Sequence, residues 1–254
     1  CEEKFHIQDA IHAKDGIVFI NGDDAILNKH KSELRHRIIT FGLGNDNDYF
    51  ATNIKVKNGG VDFTVNIKNK GSYDARLNVL GEHNVRNALV AIAVAERHGI
   101  EVTEAIKALA GYEGVSMRQQ ITDVNGVTII DDSYNASPDS MKAGIDVLCD
   151  YNNNGRKIAV LADMLELGDK SADYHKEVGG YMAEKKIDEL ILFGTMAANI
   201  GDGFNGSYKL FKKREEINEY LLKNLKSGDA ILFKGSRGMK LNECVDFLKE
   251  NYNG

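Results

Sequence analysis

The segment from Ile129 to Met141 reads IIDDSYNASPDSM and predicts a strand, a polar loop and a helix, in that order. Its β-branched run ends in Asp131 and Asp132, which the alternation of a strand turns to opposite faces. Ser137-Pro138-Asp139 has the N-cap, the first-turn proline and the first-turn acid of a helix start. Because ligands of open α/β sheets lie beyond the carboxyl ends of strands, the segment indicates either a ligand site or an ordinary capped turn with two solvated aspartates.

The rest of the second half alternates strands with helices over short connections. It opens with a hairpin across Asn125-Gly126. The predicted strands are 127–131, 157–162, 189–193, 208–211 and 230–233, and the predicted helices are 138–149, 172–185, 214–225 and 241–250. This order predicts an α/β fold with a mostly parallel, doubly wound sheet.

The first half is rich in strands and ends in helices. A helix is predicted to open the chain and to end at Gly16. The other predicted elements are strands at 17–20 and 37–43, three alternating segments between 49 and 80 with turns at 58–60 and 69–71, and helices at 82–98 and 103–110. Residues 111–114 are the predicted linker, so we expect one unit over residues 1–113 and another over residues 114–254.

Composition describes a globular protein without a nucleic-acid or membrane partner. The formal net charge is −6 and no Lys/Arg-rich block occurs, which argues against nucleic-acid binding. No apolar run reaches membrane-spanning length. Cys1, Cys149 and Cys244 lie far apart and outside any CxxC pair, which favours free thiols in a reducing cytosol over disulfides or a zinc site.

Two further loops follow predicted strands of the second half and are rich in polar residues. Residues 162–168 read ADMLELG, and residues 233–239 read FKGSRGM. The second loop brings Lys234, Ser236 and Arg237 together, and an arginine can bind a carboxylate or phosphate through two parallel hydrogen bonds. Taken alone, the first loop is at least as well explained by a polar turn into the next helix, and the second is better explained by a solvated turn.

A fourth polar segment, GEHNVRN at residues 81–87, lies at a predicted helix start. Asn84 and Asn87 are three apart and therefore share a helix face. Their amides could recognise a base edge, or Asn84 could simply cap the helix. His83 and His175 have no partner at metal-ligand spacing, so structural roles are favoured. The sequence contains neither a GxxxxGK[ST] phosphate loop nor a GxSxG nucleophile motif.

These four segments together resemble the Mur ligase family, and within it the MurF type. The family's GxHNxxN pattern is present at residues 81–87, its DDSYNASPDSM form at 131–141 and its KGSR segment at 234–237. Its GDMLELG segment is present with Ala162 in place of glycine. The order of the segments also matches that of the family.

The resemblance implies the rear part of a central ATPase domain over residues 1–113 and a Rossmann-like carboxyl domain over residues 114–254. The implied reaction is ATP-dependent amide formation in peptidoglycan precursor synthesis, which adds D-Ala-D-Ala to UDP-MurNAc-tripeptide through an acyl phosphate. The chain begins without Met and in mid-helix, and we interpret it as the carboxyl part of a longer protein. The family's phosphate loop and Mg²⁺ ligands are expected upstream of Cys1. The chain alone is then expected to be inactive, and the protein a cytoplasmic monomer.

The resemblance also assigns nucleotide-binding residues. Asn84 and Asn87 are expected to contact adenine and Asp132 the ribose of ATP. His83 and Asn135 are expected to lie at the same nucleotide.

Catalytic and substrate-binding roles are implied for a second group of residues. Arg118 is expected to approach the phosphates, and Arg118 and Asp132 are the expected catalytic residues. Lys234, Ser236 and Arg237 are expected on the dipeptide side, with Arg237 suited to the terminal carboxylate. No metal ligand is expected among these residues.

Two alternatives to this function stay open. One is a non-catalytic binding or regulatory module that keeps the fold without the phosphate loop. The other is a different ligase of the superfamily, such as a folylpolyglutamate synthase, although the DDSYNASPDSM form speaks against it.

Overall fold

The computed structural model describes residues 5–12, 15–57 and 59–254. The chain divides into two compact units, Cys1–Glu113 and Gly114–Gly254. Cys1, the first residues of the predicted opening helix and Asn58 of the predicted turn at 58–60 lie outside the described residues.

The first unit contains a five-stranded sheet in the order β1-β2-β3-β4-β5. Its strands are β1 (Ile17–Asn21), β2 (Arg37–Gly42), β3 (Tyr49–Lys57), β4 (Gly60–Ile67) and β5 (Gly71–Leu77). The first three strands pair in parallel, and β3, β4 and β5 form the predicted antiparallel meander. The sheet therefore changes from parallel to antiparallel at β3.

Helices α1 (Ala25–His30), α2 (Glu82–Arg97) and α3 (Val102–Ala110) complete the first unit, with 3-10 turns at His6–Ala10 and Lys31–Glu33. The predicted apolar face of α2 is confirmed, since Val85, Ala88, Leu89 and Ile92 are buried. The prediction that the opening helix reaches Gly16 is wrong, because the 3-10 turn ends at Ala10 and Ile11 is extended.

The second unit contains a six-stranded sheet in the order β10-β9-β8-β11-β7-β6. Its strands are β6 (Gln120–Val124), β7 (Val127–Asp132), β8 (Lys157–Ala162), β9 (Glu189–Phe193), β10 (Tyr208–Phe211) and β11 (Ala230–Lys234). All neighbours are parallel except β6 and β7, which form the predicted hairpin. The mostly parallel sheet predicted from the sequence is confirmed.

The helices of the second unit are α4 (Pro138–Asp150), α5 (Ser171–Ala183), α6 (Ala198–Phe204), α7 (Arg214–Asn224) and α8 (Asn242–Asn251), with 3-10 turns at Gly168–Lys170 and Arg237–Met239. Residues of α7 and α8 pack with Ile129 and Phe233 in one core cluster on one face of the sheet. Gly144 of α4 lies against Leu232 on the opposite face. Helices therefore cover both faces of this sheet, as a doubly wound fold requires.

Candidate active site

The register of two parallel strands brings an acid and a base together at the carboxyl edge of the second sheet. β7 and β11 are neighbours, and Asp132 is aligned with Lys234 at the last pair of their ladder. Aligned residues of neighbouring strands project from the same face. Lys234 Nζ donates a hydrogen bond to Asp132 Oδ2 over 2.7 Å. We call these two residues the Asp132–Lys234 pair.

The Asp132–Lys234 pair is buried beneath α4. Asp132 is 8% exposed and Lys234 is 2% exposed. A Cβ atom at Gly144 of α4 would lie 2.9 Å from Lys234 Cδ and 3.2 Å from Asp132 Oδ2. The missing side chain at Gly144 is therefore what makes room for the pair.

Lys234 also fixes the loop that connects β7 to α4. Its ammonium donates a second hydrogen bond to the carbonyl oxygen of Asn135 over 3.1 Å. The loop ends in a capping box in which the Ser137 hydroxyl accepts from the backbone N–H of Ser140, and Pro138 occupies the first turn of α4. The capped turn predicted from the sequence is confirmed, while the alternative of solvated aspartates is wrong because Asp131 and Asp132 are both buried.

The electrostatics of Asp132 reflect two opposing effects. Burial raises the pKa of this carboxyl above its usual range, and the neighbouring carboxylate of Asp131 acts in the same direction. Lys234 and a hydrogen bond from the backbone N–H of Gln119 favour the charged form and limit the rise. The charge of Asp132 therefore depends on its lysine partner.

Asp131 has a separate set of contacts. Its Oδ1 atom accepts hydrogen bonds from the backbone N–H of Ser133 over 3.1 Å and from the Ser133 hydroxyl over 2.5 Å. Ile129 and Phe233, which share its face of the sheet by strand alternation, belong to the core cluster under α7 and α8. Asp131 thus shapes the turn after β7.

The loop after β8 is held by buried hydrogen bonds rather than by solvent. Asp163 accepts backbone N–H donors from Thr195 over 3.2 Å and from Ala197 over 2.6 Å. His175 is fully buried, accepts the N–H of Met164 at Nε2, and donates from Nδ1 to the carbonyl of Ser171. These contacts give Asp163 and His175 structural positions next to the candidate site.

Ser236 joins the loop after β11 to the loop after β8. Its backbone N–H donates to the carbonyl of Asp163 over 3.1 Å, and its hydroxyl accepts the N–H of Leu165 over 2.9 Å. Gly235 is packed against Ala162, whose Cβ lies 2.7 Å from the position of an added Cβ. Ser236 is only 5% exposed. Its hydroxyl therefore links the two loops and is not open to solvent.

The two arginines predicted for the site are exposed at the same edge of the second unit. The guanidinium of Arg118 lies 4.5 Å from the centroid of the Tyr134 ring, a cation–π distance. The guanidinium of Arg237 contacts the sulfur of Met117 and the side chain of Asn242. Met117 also accepts the N–H of Tyr134 at its carbonyl oxygen. Both cations are thus positioned by uncharged groups and remain open to an anionic ligand.

In the first unit, the predicted asparagine pair lies at the start of α2. Asn84 donates from its amide to the carbonyl of Leu80 over 2.7 Å, and Asn87 donates to Asn84 Oδ1 over 3.4 Å. The interpretation of Asn84 as an N-cap is wrong, because Gly81 is the N-cap residue and Asn84 is the third residue of the helix. The two amides do share one face, as predicted. His83 is half-buried beside them.

A carboxylate that was not among the predicted site residues, Asp23, also lies near this helix start. Asp23 accepts N–H donors from Leu43 over 2.7 Å and Gly44 over 3.0 Å, and bonds to the side chains of Asn47 and Arg86. Partial burial acts to raise its pKa, but these donors hold the pKa below its usual value. Asp23 thus ties α2 to the loops that follow β1 and β2.

Within residues 5–12, 15–57 and 59–254, no group of three or more His, Cys, Asp or Glu side chains is arranged to hold a metal ion. None of the helices in the described part of the chain combines the length and the apolar character needed to cross a membrane.

Comparison with known proteins identifies families and relatives that this chain resembles. Residues 117–237 match the Mur ligase, glutamate ligase domain family, and residues 1–95 match the Mur ligase middle domain family. The chain is 36% identical over 249 residues to the UDP-N-acetylmuramoyl-tripeptide–D-alanyl-D-alanine ligase of Bacillus subtilis, an alignment that covers 94% of this chain and 52% of that protein. The chain thus spans about half the length of the curated relatives it matches.

Solved structures give the same result. The crystal structure of MurF from Acinetobacter baumannii superposes with a TM-score of 0.87 at 30% identity, covering 99% of this chain and 55% of that one. MurF ligase from Thermotoga maritima, solved in complex with ADP, superposes with a TM-score of 0.83 at 24% identity, covering 95% and 55%. Two matched domains of one family, in the family's order and with its fold, lead to one conclusion: this chain belongs to the Mur ligase family.

Proposed function

We propose that the protein to which this chain belongs is an ATP-dependent amide ligase of peptidoglycan precursor synthesis. It would join D-Ala-D-Ala to the peptide carboxylate of UDP-MurNAc-tripeptide. The observation that carries the proposal is the buried Asp132–Lys234 pair at the carboxyl edge of a doubly wound sheet, with Asp132 in the DDSYNASPDSM segment and Lys234 in the KGSR segment. The names of the similar ligases support this substrate choice.

The chemistry of such a ligation needs charge neutralisation and alignment more than a protein nucleophile. A carboxylate oxygen of the peptide attacks the γ-phosphorus of ATP, which releases ADP and leaves an acyl phosphate. The amine of the dipeptide then attacks the acyl carbon, and the tetrahedral intermediate expels inorganic phosphate.

In the second unit, Asp132 is the proposed ribose ligand, because a carboxylate can accept hydrogen bonds from two neighbouring hydroxyls. Asn135 in the following loop is exposed and is a second proposed nucleotide contact. Arg118 is proposed to neutralise phosphate charge, since its guanidinium is exposed and held only by the Tyr134 ring. Arg237, also exposed, suits the terminal carboxylate of the dipeptide.

In the first unit, Asn84 and Asn87 are the proposed contacts for adenine. Asn87 is the better placed, because its side chain is exposed, whereas the amide N–H of Asn84 already bonds to Leu80. His83 remains a proposed neighbour of the nucleotide.

Substrate-dependent phosphate release by the full-length gene product tests the proposal. We expect inorganic phosphate and a ligated product only when ATP, UDP-MurNAc-tripeptide and D-Ala-D-Ala are all present. Asp132→Asn should raise the KM for ATP about ten- to a hundredfold, the effect of losing a hydrogen bond to a charged group. Asp150→Asn removes the same charge from the exposed end of α4 and should leave the KM unchanged.

Two outcomes would contradict the proposal. Binding without any ligation, under conditions in which a related ligase is active, would favour a non-catalytic module. Ligation of glutamate to a folate instead of the dipeptide would favour a folylpolyglutamate synthase.

We also propose a monomer in a reducing, cytoplasmic compartment. The free state of Cys149 and Cys244 among the described residues supports the reducing compartment. Sedimentation of the full-length gene product and fractionation of its cells test the two statements.

A further inference from the structure

The structure leaves Lys234 poorly placed for the dipeptide contact expected from the resemblance. Its side chain is 2% exposed. Two of the three N–H donors of its ammonium are used within the protein, by Asp132 Oδ2 at 2.7 Å and by the carbonyl of Asn135 at 3.1 Å. Gly144 closes over its stem, since even a methyl group there would lie 2.9 Å from Cδ. A substrate would have to displace these contacts to reach it.

We propose that Lys234 is a positioning residue that acts through Asp132 and the loop to Asn135, and that it does not touch the dipeptide. The proposal rests on the proposed function, in which Asp132 binds the nucleotide. Lys234 would set both the direction and the charge of the Asp132 carboxylate. It would also fix the spacing between Asp132 and the start of α4.

The fold explains why this role belongs to a lysine of β11. The aligned register of β7 and β11 puts Lys234 beside Asp132 on the face covered by α4. From that position a long stem can reach both Asp132 at the strand end and Asn135 in the loop. Ser236 and Arg237, the next side chains along the chain, lie beyond the end of β11. Lys234 therefore belongs to the interior of the sheet, and the exposed part of this segment begins at Arg237.

The charges around Asp132 give the proposal a distinctive pH dependence. Besides Lys234, the groups that face Asp132 are Asp131 on its own strand and the backbone N–H of Gln119, while α4 presents the uncharged Gly144. Removing Lys234 leaves Asp131 as the nearest charge, which favours protonation of Asp132. A protonated carboxyl loses acceptor capacity. The nucleotide defect of a Lys234 variant should therefore grow as the pH falls.

Steady-state kinetics of the full-length gene product with Lys234→Met tests the proposal, and Lys223→Met on the exposed face of α7 is the matched control. We expect the KM for ATP to rise about ten- to a hundredfold in Lys234→Met, with a larger factor at pH 6 than at pH 8. The KM for D-Ala-D-Ala should stay within about twofold of the wild type. Lys223→Met should change neither constant.

A double variant keeps the test decisive if Lys234→Met does not fold. Asp132→Asn with Lys234→Met removes both charges, so no unpaired ion remains buried. We expect its two KM values to equal those of Asp132→Asn alone. A KM for D-Ala-D-Ala that rises tenfold on adding Lys234→Met, or an ATP KM that is unchanged in the single variant, would overturn the proposal. If the wild type shows no dipeptide-dependent phosphate release, the proposed function itself fails.

Discussion

Replacing Gly144 with alanine measures how tightly α4 covers the Asp132–Lys234 pair. The new Cβ would lie 2.9 Å from Lys234 Cδ and 3.2 Å from Asp132 Oδ2. Gly180 in the neighbouring helix α5 provides the control, because its position is exposed and an added Cβ meets no atom within 4 Å. Both substitutions place the same methyl group in the interior of a helix. Only one of them places it against the pair.

The magnitudes follow from two opposing contributions. Exchanging glycine for alanine in a helix stabilises it by about 1 kcal/mol, and this is the whole expected effect at Gly180. At Gly144 the methyl group overpacks a closed site, which costs about 1–3 kcal/mol. Lys234 is 2% exposed and held by two hydrogen bonds, which oppose a movement that would relieve the contact. Gly144→Ala should therefore unfold more easily than Gly180→Ala by about 1–3 kcal/mol.

Urea unfolding read by pulsed thiol labelling of Cys244 isolates the second unit. Cys244 is fully buried in the core of that unit, and burial raises the pKa of its thiol to about 12. It should therefore react only after the unit unfolds, and mass spectrometry separates its peptide from those of the other cysteines. Equal or greater stability of Gly144→Ala relative to Gly180→Ala would refute the tight covering of the pair.

Three further predictions concern stability, folding and activity. Asp229 is 2% exposed and bound over 2.6 Å to the Arg156 guanidinium, whose side chain is 34% exposed. Because Asp229 keeps its backbone donors from residues 156 and 226, Arg156→Met should lower the free energy of unfolding by about 1–3 kcal/mol in urea titrations at pH 7. Burial acts to raise the pKa of Asp229 but Arg156 holds it below its usual value. This stabilisation should therefore be complete above the unfolded pKa of about 3.9 and be lost in acid titrations as the pH falls through the folded pKa. Residues 114–254 expressed alone should show a cooperative thermal transition, and a product without one would contradict an independent carboxyl unit. The 254-residue chain, which contains no GxxxxGK[ST] motif, should release no phosphate from ATP above background in a coupled assay.

Local sequence patterns predicted most helices and strands, because hydrophobic alternation and helix capping depend on residues close together in the sequence. The alternation in β4 is visible in the sequence and places Val61, Phe63 and Val65 in the core. The start of α4 is fixed by Ser137 and Pro138, which the structure confirms as N-cap and first-turn residue. The residues that determine such elements lie within the element itself or directly next to it in the sequence.

Two helices escaped prediction for physical reasons. Helix α1 has six residues and buries none of them, so it has no apolar periodicity. Helix α6 contains Gly201 and Gly203, which suggest a loop in sequence. In the structure Gly203 allows close packing, since an added Cβ would lie 2.1 Å from the carbonyl oxygen of Lys176 in α5. A glycine that permits helix contact cannot be distinguished from a helix breaker before the partner is known.

The position of the candidate site could be predicted from the sequence, but the contacts between its side chains could not. Strand ends located Asp132 and Lys234 at one edge of the sheet, since parallel strands align their carboxyl ends. Their pairing depends on the register of β7 and β11, which are separated by three intervening strands and several helices in the chain. The same holds for Ser236, whose hydroxyl bonds to Leu165 after β8. Such contacts between distant segments have no signature in a single sequence.

The buried state of two adjacent carboxylates favours a ligand at this edge over a purely structural turn. Asp131 is satisfied by Ser133 and shapes the chain. Asp132 and Lys234 form a buried ion pair, and apolar residues of similar volume often stabilise a fold as well or better than such a pair. A capped strand-to-helix turn does not need an ion pair, because Ser137 and Pro138 already provide the cap. The cap therefore does not require the pair, and burying two charges costs free energy even though Lys234 also holds the loop at Asn135. That cost has a purpose if Asp132 must stay charged and oriented toward hydroxyl donors that enter from the sheet edge.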